Sequence, residues 1–331
     1  MSKLLGHREA ALAALVVALF AAIGWRAPVF WSAANLDTLL NDGAILTIMA
    51  LAQMCALLTR GVDLSVGASM ALAGMLTALL SRAQPELPVV WSILLALGSG
   101  LVLGTLNGVC IAWLSLPPIV VTLGTMSIYR GLVFVVSGGA WVNAHELGPR
   151  FVAFPLERFL GLTHLGWIAL GVAALGYLFL HHRSAGRELY ALGGNPAAAR
   201  HVGINGPRRE LLVYVLSGAC SGLCGYLWVA RYAVAYTETA LGFEMQTIAA
   251  CVIGGVSIRG GRGNVSGCLL GAAFLVLLFN ALPIIDVSPF WQPAISGAAI
   301  LAAVVLNSRS EPERRRARSW KPAGNALGAR T

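Results

Sequence analysis

The residues able to do chemistry in this sequence are few, and most stand singly in long apolar runs. Gln53, Asn107, Thr122, Thr125, Ser127, Gln246, Thr247 and Asn280 are polar and uncharged. Set in such runs they suit a path for an uncharged, hydroxyl-rich solute. Asn107, Thr122, Thr125, Gln246 and Asn280 are its candidate lining. Hydrogen bonding between helices is the plainer reading for the hydroxyls, because a polar group in lipid needs a partner. Arg130 is the exception in charge. It either lines an aqueous path or snorkels to the headgroups. Asp63 and Ser65 stand just ahead of the apolar run 66–82 and are good N-cap types, so they form a helix cap or a gate.

Other chemistry is missing. A phosphate-cradling loop of the type G-x-x-x-x-G-K-[ST] needs a lysine, and the only lysines are Lys3 and Lys321, neither in such a setting. The sequence contains neither H-E-x-x-H nor G-x-S-x-G. Cys55, Cys110, Cys220, Cys224, Cys251 and Cys268 all fall in apolar segments without a C-x-x-C, so packing rather than metal binding is expected of them. No Asp or Glu falls at the centre of an apolar run, which argues against a proton-coupled carrier. No clustered His, Asp, Glu or nucleophile site marks a membrane enzyme. His181 and His182 adjoin Arg183 and read as a helix end.

The elements that position these residues follow from composition. The chain has 331 residues, 57% of them hydrophobic and 11% charged, with a mean hydropathy of +0.76. A soluble domain carries about 25% charged residues. Continuous apolar runs in lipid mean helices, since only a closed backbone is tolerated there. The fold class is therefore an all-α integral membrane protein, a polytopic bundle of about ten transmembrane helices. The spans are read at 9–26, 36–58, 64–82, 90–113, 118–137, 163–181, 209–231, 244–259, 265–281 and 290–306, the eighth and ninth being short for the roughly 20 residues a bilayer needs. The first is read as an uncleaved helix. Residues 1–307 then form the transmembrane domain, and 308–331 a disordered basic cytoplasmic tail.

With ten spans, seventeen of the 23 basic residues fall in the loops and tail on one side. The positive-inside rule puts that side, with both termini, in the cytoplasm. The net charge of +9 is explained this way and calls for no nucleic acid. The loop near 138–162, expected outside, suggests a short surface helix. RGVDLSVGA (60–68) and GGVSIRGGRG (254–263) share a weak Gly-Val-x-[Leu/Ile] core and are both placed inside.

The inside loop GRELYALGGNPAAARHVGIN (186–205) is the most informative stretch. Asn195 reads as the N-cap and Pro196 as the first turn of a short helix ending near Gly203, either a linker or a docking element. The loop closely resembles the coupling helix of permease subunits of bacterial sugar ABC importers, in the ribose, xylose, arabinose and rhamnose permease family. TRGVDLSVGASMALAG (59–74), GTLNGVCIAWLSLPPIVVTLGTMSIYRG (104–131) and IAACVIGGVSIRGGRGNVSGCLLGA (248–272) resemble it too, so the likeness runs from about 36 to 307. SGGAWVNAHEL (137–147) and YLWVARYAVAY (226–236) look most like rhamnose-type permeases, with autoinducer-2 permeases a related branch.

The resemblance implies an inner-membrane subunit with no enzymatic activity of its own. Its implied partners are two ATPase subunits that bind ATP and Mg, a periplasmic sugar-binding protein, and a second permease, identical or paralogous. The solute would be rhamnose, ribose or a similar sugar, or alternatively autoinducer-2. Gly193, Gly194, Asn195, Pro196, Arg200 and Gly203 would couple the chain to the ATPase. A stand-alone secondary carrier is the rival reading, and the sparse intramembrane acids and the docking-type loop count against it.

Overall fold

A computed structural model describes residues 2–309. Among these residues thirteen α-helices follow one another as α1 (Ser2–Arg26), α2 (Ala33–Leu58), α3 (Val66–Ala83), α4 (Val89–Ala112), α5 (Pro118–Ser137), α6 (Pro149–Ala153), α7 (His164–His182), α8 (Ser184–Gly194), α9 (Pro196–His201), α10 (Gly206–Tyr232), α11 (Phe243–Ile253), α12 (Val265–Ile284) and α13 (Trp291–Arg309). Among the described residues the strands are β1 (Arg158–Phe159) and β2 (Leu162–Thr163), an antiparallel hairpin in the 138–162 loop. The five-residue α6, with Phe151 buried, is the short helix expected in that loop. The chain is thus a polytopic helical membrane protein. Residues 310–331, most of the expected basic tail, lie outside the described residues.

Among the described residues eight helices are long and apolar enough to cross a bilayer: α2, α3, α4, α5, α7, α10, α12 and Glu9–Arg26 of α1. They coincide with eight of the ten expected spans, and α13 occupies the tenth. The ninth is a full 20-residue helix, α12. The eighth expectation, 244–259, needs correction. Its helix, α11, has 11 residues, about 16 Å at 1.5 Å per residue and roughly half the hydrocarbon thickness. The apolar run continues to Ile258, but Gly255, Gly260 and Gly261 turn the backbone into left-handed conformations. Apolarity alone did not reveal that the helix stops. Irregular backbone is tolerated at membrane depth where protein covers it, and Ala235, Thr237, Thr239, Ala240 and Val256 are buried.

The core runs along α2 and α10. Residues 44–46 and 48–58 of α2 are buried continuously, while α4, α5 and α7 turn broad apolar faces outward. α4 and α10 touch backbone to backbone. A Cβ on Gly218 would lie 2.6 Å from the Gly104 Cα and also inside the Gly100 carbonyl oxygen. Small residues permit this approach, as is usual between membrane helices.

The loops sort into two ends. At one, Arg60 meets residues 193–194, Leu58 meets Gly261, and Glu9 accepts from Asn264 and Ser266. At the other, Val142 and Ala235 form a bridge, Trp141 packs on Tyr236, and Arg158 pairs with Asp37. There Glu146 accepts from the Asn143 N–H at 2.8 Å, with Arg82 3.5 Å away. These contacts, the backbone donor first, hold its carboxyl below the usual range. We call these the Arg60 end and the Trp141 end. The loops grouped by charge on the inside share the Arg60 end, so the short α11, completed by the turns before and after it, still counts as one crossing.

Candidate coupling and translocation sites

At the Arg60 end the candidate docking surface is built on backbone contacts. Asn195 accepts from the Ala198 N–H at 3.1 Å and caps α9, with Pro196 in the first turn, as the spacing predicts. α9 leaves Ala197, Ala198 and Arg200 exposed and buries Ala199. Gly203 turns the chain at φ +82°. The sequence reading missed α8, which precedes α9, buries Leu189 and Leu192 and is tied to α10 by Arg209 Nε donating to Glu188 at 2.6 Å. The three-residue spacing of those leucines in an otherwise polar loop was the available signal.

Arg60, not singled out in the sequence, joins this surface to the core. Its Nε donates to the Gly193 carbonyl at 2.7 Å and its Nη2 to the Gly194 carbonyl at 3.0 Å. Its backbone has φ 68°, a conformation uncommon outside glycine and held here by those contacts. The Gly261 N–H donates to the Leu58 carbonyl at 2.9 Å. A Cβ on Gly193 would stand 2.5 Å from the Gly261 nitrogen. The two stretches that share the Gly-Val-x-[Leu/Ile] core therefore meet here.

From Arg60 the chain runs inward as a buried loop. Asp63 Oδ1 accepts from the Ser65 N–H at 3.0 Å and its hydroxyl at 2.7 Å, and Asp63 Oδ2 accepts from the Ser217 hydroxyl at 2.7 Å. Asn107 Nδ2 donates to the Ser65 Oγ at 2.8 Å. The Thr122 hydroxyl donates to the Pro118 carbonyl at 2.9 Å and to Val62 at 3.2 Å. Gln53, with its amide turned to satisfy both groups, bonds the Asp63 backbone. Ser65 occupies the N-cap position of α3 without a side-chain cap bond. Its hydroxyl instead serves Asp63, whose carboxylate closes a two-residue turn of the kind aspartate favours. The loop 60–65 is thus fixed to α4, α5 and α10 at once.

The candidate path residues do not form one line. Asn107 and Thr122 belong to the Asp63 loop. The Thr125 hydroxyl bonds the Val121 carbonyl of its own helix at 3.1 Å. Arg130 Nη1 donates to the carbonyls of Thr239 at 2.7 Å and Thr237 at 3.2 Å, and so ties down the turns before α11. Gln246 and Asn280 come together, facing a cavity near the Trp141 end. Among the described residues no cluster of three or more His, Cys, Asp or Glu could hold a metal, and the six cysteines are free.

The half-length α11, flanked by tight turns, sits inside a polytopic bundle whose Arg60-end loops carry α8 and α9, and this arrangement fits a membrane permease. The chain matches, over residues 35–304, the family described as branched-chain amino acid transport system / permease component. It belongs to that family. Among its relatives, the autoinducer 2 import system permease protein LsrC of Salmonella typhi is 33% identical over 303 residues, covering 92% of this chain and 86% of the relative. LsrC of Escherichia coli strain K12 / DH10B is 33% identical over the same length, covering 92% and 87%. These relatives support the resemblance to importer permeases read from the loops. They carry the autoinducer 2 description, where residues 137–147 and 226–236 had suggested the rhamnose type. No solved structure matches the chain.

Proposed function

We propose that this chain is the membrane-spanning permease of an ATP-driven importer that carries a small hydroxylated solute of the autoinducer 2 kind from periplasm to cytoplasm. The observation that carries this reading is the 33% identity to autoinducer 2 permeases along 92% of the chain. In this reading the Arg60 end faces the cytoplasm, as its basic loops favour. Two ATPase subunits, binding ATP and Mg, dock on α9 through Asn195, Pro196, Arg200 and Gly203. A periplasmic binding protein delivers solute to the Trp141 end, and a second permease completes the path. ATP-driven closure moves α8 and α9. Arg60, bonded to Gly193 and Gly194, passes that displacement into the Asp63 loop and so to α4, α5 and α10.

Uptake tests both parts of the reading. Cells relying on this chain with its partner subunits should deplete autoinducer 2 from the medium. Deleting 195–204, or replacing Gly203 with valine, should abolish uptake while the chain stays in the membrane, since a β-branched residue strains a positive φ. Uptake of rhamnose or ribose in place of autoinducer 2 would overturn the solute assignment. Normal uptake by the deletion variant would overturn the coupling assignment.

A further inference from the structure

The cavity near the Trp141 end lies among α2, α10, α11, α12 and the start of α13, all within this one chain. Its volume of about 420 Å³ falls in the range of about 300–1,000 Å³ common to small-molecule sites. Its walls combine an aromatic side, formed by Trp228, Tyr232 and Phe243, with Asp42, Gln246, Asn280 and Gln292. The Trp228 ring stands edge-on to Phe243 at 5.3 Å and tilted to Tyr232 at 5.0 Å. Among the described residues the Asn280 side chain makes no hydrogen bond: its Oδ1 is enclosed by protein, and its Nδ2 is the amide atom left accessible at the cavity.

Asp42 adds an open acceptor. Arg231 Nε at 3.1 Å and the Tyr232 hydroxyl at 3.0 Å both donate to its Oδ1, and the Arg231 Nη2 reaches the same oxygen at 3.0 Å. Oδ2 is left for another donor. The Arg231 charge cancels that of Asp42, so the cavity offers acceptors and amides without net charge. A cavity of about 460 Å³ between α1, α2, α7 and α12 makes the contrast. Its lining is apolar apart from Thr47, and it holds nothing a hydroxyl would seek.

We infer that the Asp42–Gln246–Asn280 cavity is a binding subsite for a neutral polyhydroxylated solute of furanose size, held inside a single permease chain. Hydroxyls donate to Asp42 Oδ2, the Asn280 Nδ2 donates to a solute oxygen, Gln246 and Gln292 exchange hydrogen bonds with the ring substituents, and the apolar face of the solute lies on Trp228 and Tyr232. The inference rests on the proposed function and deepens it by placing a solute-contacting site at the end where solute would enter.

Saturation-transfer NMR on the permease–ATPase complex in lipid nanodiscs, free of sugar-headed detergent, tests it with autoinducer 2 and D-ribose as probes. The wild type should transfer saturation to a probe. Asn280→Leu and Gln292→Leu should each bind it about tenfold more weakly. Asn280→Leu removes an unpartnered oxygen and so breaks no bond of that oxygen, and Gln292→Leu gives a second variant at the first turn of α13. Wild-type binding in both variants would overturn the subsite and leave the proposed function standing if uptake is normal. No transfer to either probe from a wild type that still imports solute would also overturn it. Absence of both binding and uptake for either probe would bring down the proposed function with it.

Discussion

Arg60→Ala should cut solute uptake about tenfold or more while the chain inserts normally, and the partner ATPase should keep hydrolysing ATP. The guanidinium makes the two side-chain bonds that link α8 to the buried loop, and hydrogen bonds of a charged donor are worth about 1.5–3 kcal/mol each. Without them residues 193–194 can shift while Asp63, Ser65 and Ser217 stay where they are. Hydrolysis and transport are then separated rather than both lost. Arg60→Lys should restore little, because a single ammonium cannot reproduce the fork that spans two successive carbonyls. Measuring uptake and ATP hydrolysis in the same proteoliposomes decides the matter. If Arg60→Ala transports at the wild-type rate, or loses hydrolysis and transport in equal proportion, Arg60 does not transmit the motion.

Gly218→Leu should have the largest effect on the fold itself. The new side chain would start 2.6 Å from the Gly104 Cα, where the neighbour is backbone and cannot rotate away. Overpacking of side chains costs about 1–3 kcal/mol, and a backbone obstruction lies at or beyond the upper end. The helix pair α4–α10 must separate, carrying Asn107 and Ser217 away from the Asp63 loop. The thermal midpoint in nanodiscs should fall by about 5 °C or more, with loss of uptake. Gly98→Leu on the same α4 is the control, since a Cβ there meets nothing within 4 Å, and it should leave the midpoint unchanged. Equal midpoints for the two variants would show that the close approach of α4 and α10 does not support the bundle.

Much of the fold was legible because lipid imposes a simple rule. Runs near 20 apolar residues must be helices, and eight of the expected spans coincide with helices of that kind. α11 was misread because its continuation, Gly254–Ile258, is as apolar as a helix, and hydropathy does not report where left-handed glycines break the backbone. The cap of α9 was legible because Asn-Pro spacing acts locally. Arg60 and Asp42 were not. Each works through residues more than 100 positions away, Gly193 for one and Arg231 for the other, and no local pattern records such pairings. The candidate path residues were sound as a list of polar groups in apolar runs, but polarity could not say that Thr125 serves its own helix, that Arg130 holds the chain before α11, or that Gln246 and Asn280 share a cavity.

The central claim is that the ATPase docks on α9 at the Arg60 end. A photo-crosslinking amino acid at the exposed Ala197 tests it directly, with the exposed Trp141 at the opposite end as control. On irradiation of the assembled importer, position 197 should yield an adduct between this chain and the ATPase subunit, and position 141 should not. An ATPase adduct absent at 197, or formed equally at 141, would contradict the account.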